Sequence, residues 1–222
     1  MISSLPFGSR VDVVTCTPKS ESVLGYVAQV SRGKGYALEP EEFICFPYVS
    51  KQPEQQQAIK TLQFCVKAGH LTILEFAQLV FRIECPIFVA RQLMRYRNAS
   101  YIERSLRYCE APTPRAWELK EVDLADVHCA INAHEELSRS RYQSLIEDGE
   151  RKELARAVLP LSTMTVYLMR VDLRELLHIF DERLTPQCQR ETREVVQLIF
   201  DKTKSLFPIT IEEWEKKQNK EK

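Results

Sequence analysis

Apolar and polar positions alternate through VDVVTCTP from Val11, the period of a strand with one buried face. From Ser22 to Val30 the spacing turns helical, and Gly33 and Gly35 close that segment. Pro40 and Pro47 mark loops. Between about Pro53 and Ala68, Ala58, Ile59, Leu62, Cys65 and Val66 recur at helical spacing, and Gly69 ends the run. Phe76 to Ile83 is rich in β-formers and predicts a strand. Pro86 then suits the first turn of a helix that carries IFVARQLMRYR. A long charge-laced helical stretch runs from about Pro114 to Asp148 and ends at Gly149. A further helix from Arg151 must stop at Leu159-Pro160, because proline has no amide hydrogen to donate. Ser162 to Val171 reads as β, followed by helices near Leu173 to Phe180 and Pro186 to Leu206 and a frayed lysine-rich tail. Strands and helices mix without βαβ alternation and without a linker. That predicts one α+β domain over residues 1–222, a mixed or antiparallel sheet flanked by helices.

Composition narrows the function. The 222 residues carry 31 basic and 31 acidic side chains, so the net charge is zero. General nucleic-acid or membrane-surface binding needs a basic excess and is not expected. No apolar run approaches the roughly 18 residues of a membrane span. The start, MISSLPFGSRVDVV, lacks the pattern of a secretory signal, and a cytoplasmic protein is expected. Seven scattered cysteines without a CxxC, and four histidines without metal spacing, point to reduced thiols and no metal site. No glycine-rich phosphate loop occurs, so any phosphate must be held by side chains.

Against this neutral background, RQLMRYRNASYIERSLRY (residues 91–108) concentrates Arg91, Arg95, Arg97, Arg104 and Arg107 with one acid, Glu103. On a helix over residues 86–97, Phe88, Arg91, Gln92 and Arg95 share a face, beside an apolar side of Ile87, Ala90 and Met94. Clustered guanidinium groups repel, and a dianionic phosphate relieves that repulsion with bidentate hydrogen bonds. Ser100 and Ser105 add neutral donors, and Glu103 can accept from a sugar hydroxyl or a base N–H. The alternative is a solvated face whose arginines pair with distant acids. Arg156 before a forced helix stop, and Arg183 between two helices, favour a site, since arginines at element ends can point into one.

RYRNASYIERSLRY (residues 95–108) resembles the signature RHRxxSxNxxSxRY of the flavin-dependent thymidylate synthases. Arg95, Arg97, Ser100, Ser105, Arg107 and Tyr108 match it. PIFVARQ before it, GHLTILEF from Gly69, ARAVLPLS and LRELLHIFDERLTPQCQRE are similar to further blocks of that family, in order, from about residue 69 to 212. The resemblance implies an α/β domain in a homotetramer, with active sites at subunit interfaces. It implies FAD as cofactor, NADPH as reductant, methylenetetrahydrofolate as carbon donor and conversion of dUMP to dTMP. By position, Gln92, Glu103, Ser105, Arg107, Arg156 and Arg183 would hold dUMP. His70, Thr72, Glu75, Arg95, Tyr96, Arg97, Asp172, Arg174 and His178 would lie around FAD. Arg183 would be catalytic, stabilising charge that develops on the pyrimidine carbonyls. Ser105 would bind rather than attack, having no adjacent histidine or lysine to activate it.

Five positions depart from the pattern. Tyr96 replaces a histidine and Ile102 an asparagine of the signature, Thr72 and Phe76 alter the GHxSxLEH block, and Asp172 stands for an asparagine near the flavin. A methylase of another pyrimidine nucleotide such as UMP, and a non-catalytic nucleotide- or RNA-binding relative, are the alternatives these changes leave.

Overall fold

Two strands with strict alternation organise the chain. In the computed structural model, which describes residues 9–30, 53–111 and 125–219, β2 (Gln78–Pro86) buries Leu79, Phe81, Ile83 and Cys85 and turns Gln78, Val80, Arg82 and Glu84 outward. Its partner β4 (Met164–Asp172) places Thr165, Tyr167, Met169 and Val171 opposite those four inward residues. Period-2 side chains from both strands therefore meet on one face. With β1 (Arg10–Thr17) and β3 (Ser100–Glu103) they form a four-stranded sheet in the order β1-β2-β4-β3. All pairings are antiparallel, with an irregularity between Val13 and Thr15.

Helices cover the apolar face. They are α1 (Ser22–Val30), α2 (Pro53–Ala68), α3 (Ile87–Leu93), α4 (Ala125–Glu147), α5 (Lys152–Ala155), α6 (Leu173–Arg183), α7 (Arg190–Leu206) and α8 (Pro208–Gln218). Val195, Val196, Ile199 and Phe200 of α7 join Leu62, Leu74, Phe81, Met169 and Phe180 in one core. The opposite sheet face carries Arg82, Arg170 and the cross-strand pair Ile102 and Leu168, with Ile102 74% exposed. No helix among the described residues is long and apolar enough to cross a membrane.

Several boundaries differ from the sequence reading, each for a local reason. The strand expected from Phe76 begins at Gln78, because residues 71–76 wind into a 3₁₀ turn that leaves Phe76 62% exposed. The helix expected to reach Arg97 stops at Leu93. Its liberated carbonyls are met by a tyrosine: the Tyr101 hydroxyl donates to Leu93 O at 2.8 Å and lies 3.0 Å from Tyr96 O. Arg95, Tyr96 and Arg97 thus sit on a turn rather than on the helix. Strand β3 was too short to read, being only SYIE, and its inward Tyr101 packs on Tyr167. The helix from Arg151 breaks into α5 and a 3₁₀ turn over Arg156–Val158, and Leu159 before Pro160 is extended as expected. Helix α7 starts at Arg190 rather than Pro186, since Arg193 Nη1 holds the carbonyls of Thr185 and Pro186 in a loop.

The tail expected to fray is helix α8. Pro208 opens it, and the buried Glu21 carboxylate accepts the N–H groups of Ile209 and Thr210, each at 2.8 Å. Burial pushes the Glu21 carboxyl above its ordinary range, and the two N–H groups pull it back. Such a cap contributes about 1 kcal/mol. Trp214 packs on Phe180 and Phe200 and donates to Asp181 at 3.1 Å. Gly69 and Gly149 end their helices with φ of 78° and 84°, the left-handed conformation a side chain disfavours. Gly33, Gly35, Pro40, Pro47, the start of the stretch from Pro114 and the last residues of the tail lie outside the described residues.

Candidate active site

Strand β4 carries a cleft near each end. The first, of about 740 Å³, lies where α3, β3 and the α5 turn converge on Thr165. Arg91, Arg104 and Arg156 line it with two acids, Glu103 and Glu153. Glu103 is fixed by the Thr165 hydroxyl, which donates to its Oε1 at 2.7 Å, so the second carboxylate oxygen remains for a ligand donor. Ser105 lines the cleft, and its Oγ accepts the Arg107 N–H at 3.3 Å. Arg107 stands at the rim, paired with Glu153 at 2.9 Å and stacked over Tyr108 at 5.4 Å. Glu153 also holds Arg151 at 2.9 Å, so one acid organises two cations. Arg91 makes no ion pair with the described residues. With Glu153 taken up by Arg107 and Arg151, the cleft presents guanidinium groups, a serine and the carboxylate of Glu103, a set suited to a phosphorylated nucleoside.

The second cleft, of about 700 Å³, lies between the 3₁₀ turn, α6 and α8. Glu75, Asp172, Arg174 and His178 line it, joined by Asn98 and Glu175. Its carboxylates are already engaged. Glu75 pairs with Arg174, Asn98 donates to Glu175 at 2.9 Å, and Trp214 and Gln218 donate to Asp181. Asp172 caps α6 by accepting the Glu175 N–H at 2.8 Å. Burial raises the Asp172 carboxyl above its ordinary range, opposed by that same N–H. The departure at Asp172 therefore keeps a capping acceptor that asparagine also supplies.

A third group joins α6 to the arginine turn. Tyr96 is 6% exposed. Its hydroxyl donates to Glu182 Oε2 at 2.6 Å and accepts from Arg183 Nε at 2.7 Å. Burial, followed by the bond to Glu182, pushes this phenol above the ordinary tyrosine value. Burial works against the Arg183 cation, but Tyr96, Cys188 and Glu182 together outweigh it and the cation is favoured. Gln92 does not line the first cleft; it turns to Gln189, in the loop after α6.

The structure thus brings Glu103, Ser105 and Arg156 together, with Arg107 at their rim. It sets Gln92 and Arg183 apart from them. Glu75, Asp172, Arg174 and His178 share the second cleft, while His70 and Thr72 flank its lining residue Leu71. His70 is exposed, its ring 6.4 Å from that of Phe64. Arg95 and Arg97 are exposed on the turn before Asn98 and make no ion pair with the described residues. Sequence reasoning placed Arg91 and Arg104 in the phosphate-seeking arginine cluster without naming either among the substrate-binding residues, and did not single out Asn98. It missed Trp214 altogether, having taken the tail as frayed.

An antiparallel α+β frame thus carries an arginine-lined cleft and a second polar cleft near the two ends of β4. A profile of the family described as thymidylate synthase complementing protein matches residues 12–209. The flavin-dependent thymidylate synthase of Pseudothermotoga lettingae is 33% identical over 168 residues, covering 72% of this chain and 76% of that one. That of Pyrococcus horikoshii is 32% identical over 221 residues, covering 93% and 84%. Among solved structures, the UMP/dUMP methylase PolB from Streptomyces cacaoi, bound with 5-Br dUMP, superposes with a TM-score of 0.72. It shares 24% identity over 93% of this chain and 94% of PolB, and bears on the fold alone. The chain belongs to the flavin-dependent thymidylate synthase family and is a methyltransferase.

Enzymes of this family use FAD, with NADPH and methylenetetrahydrofolate as co-substrates. The residues present fit that cofactor. The second cleft's acids are satisfied internally, and Arg95 and Arg97 beside it offer donors suited to phosphates.

Proposed function

We propose that the first cleft holds dUMP and that the enzyme methylates it at C5 to give dTMP. The observation that carries this reading is the donor set of that cleft: Arg91, Arg104 and Arg156 with Ser105 and a tethered Glu103. Arg156, Arg107 and Ser105 bind the phosphate. Glu103 accepts from the sugar or from the base N–H. Arg183 places its guanidinium against a pyrimidine carbonyl and stabilises negative charge as C5 becomes nucleophilic. When bound, FAD passes reducing equivalents from NADPH, and methylenetetrahydrofolate supplies the carbon. Among the described residues no histidine, lysine or cysteine lines the first cleft, which supports a binding role for Ser105.

We also infer that the working enzyme is a homotetramer with composite sites. Thr165 lines one cleft and Asp172 the other, seven residues apart on an extended strand. That separation is about 23 Å, too far for reduction of one ligand by the other. The clefts share no lining residue. A second protomer presenting its cofactor cleft, with Gln92 and Arg183, would close the gap. The described cysteines are thiols rather than disulfides, and we read the setting as cytoplasmic.

Mass spectrometry of products from the purified enzyme, given FAD, NADPH, methylenetetrahydrofolate and equal dUMP and UMP, tests the reading. One added methyl on dUMP is expected. A methyl on UMP alone would assign the departures at Tyr96 and Ile102 to a changed substrate. No methyl on either nucleotide, with flavin bound, would refute the reading.

A further inference from the structure

Tyr96 occupies the position where the family signature has histidine, and its surroundings give it a specific task. The phenol has one hydrogen to donate and an oxygen to accept with. Both are in use: the hydrogen goes to Glu182 at 2.6 Å, and the oxygen takes the Arg183 Nε–H at 2.7 Å. The Arg183 guanidinium carbon also lies 5.4 Å from the centre of the Tyr96 ring. The His178 ring meets the same ring edge-on at 5.9 Å. One buried side chain therefore contacts both a lining residue of the second cleft and the arginine assigned to the pyrimidine.

We propose that Tyr96 is a positioning residue for Arg183, its hydroxyl anchored by Glu182 so that the guanidinium is held in one orientation, with Nη2 4.0 Å from Glu182 Oε2 and the remaining N–H groups left for substrate. This rests on the reading that Arg183 serves dUMP. Tyrosine differs from histidine here in one respect. A neutral imidazole can accept from Arg183, but a protonated one has only donors and repels the cation. The phenol accepts throughout the neutral range. The charged or titratable groups set against Tyr96 are Glu182, Arg183 and His178 from α6 and the Tyr101 hydroxyl of β3, with Arg95 and Arg97 beside it on its own turn. Tyrosine thus frees the arginine contact from titration at position 96.

The test compares wild type, Tyr96→Phe and Tyr96→His by kcat/KM for dUMP from about pH 6 to 9, with melting temperature and bound flavin recorded. Tyr96→Phe keeps the ring and loses the acceptor. It is expected to lower kcat/KM about tenfold to a hundredfold at unchanged melting temperature and flavin content. Tyr96→His is expected to recover most of the rate at high pH and to lose it below about pH 6.5, where wild type does not. NMR of arginine Nε–H groups gives a readout independent of turnover. A slowly exchanging signal that Arg183→Lys removes should be present in wild type and absent in Tyr96→Phe. Persistence of that signal in Tyr96→Phe, or a wild-type pH profile in Tyr96→His, would overturn the proposal. Loss of the signal in a protein whose wild type leaves dUMP unmethylated would uphold the positioning and refute the substrate.

Discussion

Arg183→Ala is expected to reduce kcat for dUMP methylation about a thousandfold while the protein keeps its fold. The reaction makes C5 nucleophilic, and negative charge builds on the ring carbonyls as it does so. A preorganised guanidinium stabilises that charge more in the transition state than in the ground state, so its loss falls on kcat rather than on KM alone. Arg183 is suited to this because its orientation is fixed before substrate arrives, by Tyr96 and through it by Glu182. The fold should tolerate the change. The arginine side chain is 25% exposed, and Tyr96 retains its own bond to Glu182 when Arg183 is gone. Steady-state kinetics with a melting curve check both parts, and a kcat within a few-fold of wild type would remove Arg183 from the chemistry.

Arg156→Ala should act differently. Its Nε donates to the Glu153 carbonyl at 3.3 Å, at the turn that Pro160 terminates, so the terminal nitrogens are those offered to the cleft. A bidentate pair with phosphate is bound equally in ground and transition states, and its loss should raise KM about a hundredfold with a smaller effect on kcat. Deoxyuridine, which lacks the phosphate, separates this from a general defect. The variant and wild type should bind it with equal affinity, and the coupling between the mutation and the phosphate should account for the whole loss. Equal losses for dUMP and deoxyuridine would show that Arg156 does not meet the phosphate.

How legible this was depends on where the information resides. The β-former-rich stretches that hold β2 and β4 and the glycine stops at Gly69 and Gly149 are local patterns, and they read correctly apart from their boundaries. The arginine block was legible as a candidate anion site because guanidinium groups clustered with a single acid repel one another. Other features depend on partners far away in sequence. Helix α3 ends early because Tyr101 waits for its carbonyls. Helix α8 forms because Glu21, 188 residues before Ile209, caps it. Gln92 turns to Gln189 rather than into the first cleft, and Tyr96 holds Arg183. Spacing along the chain carries no trace of such contacts. The resemblance grouped the site residues into substrate and cofactor sets, and the fold leaves Gln92 and Arg183 outside the cleft that gathers Glu103, Ser105 and Arg156.

The most direct test of a nucleotide methylase built from two protomers is recovery of activity from two inactive variants. Arg156→Ala and Arg183→Ala chains, each nearly silent alone when dUMP is kept well below the raised KM of Arg156→Ala, are co-expressed with different tags and purified through both. If one protomer supplies Arg156 and another Arg183, random pairing leaves some sites fully native. Conversion of dUMP to dTMP should then return to about a quarter of the wild-type rate. A mixed oligomer no more active than the two variants separately would contradict the account, because it would place both arginines in a site contributed by a single chain.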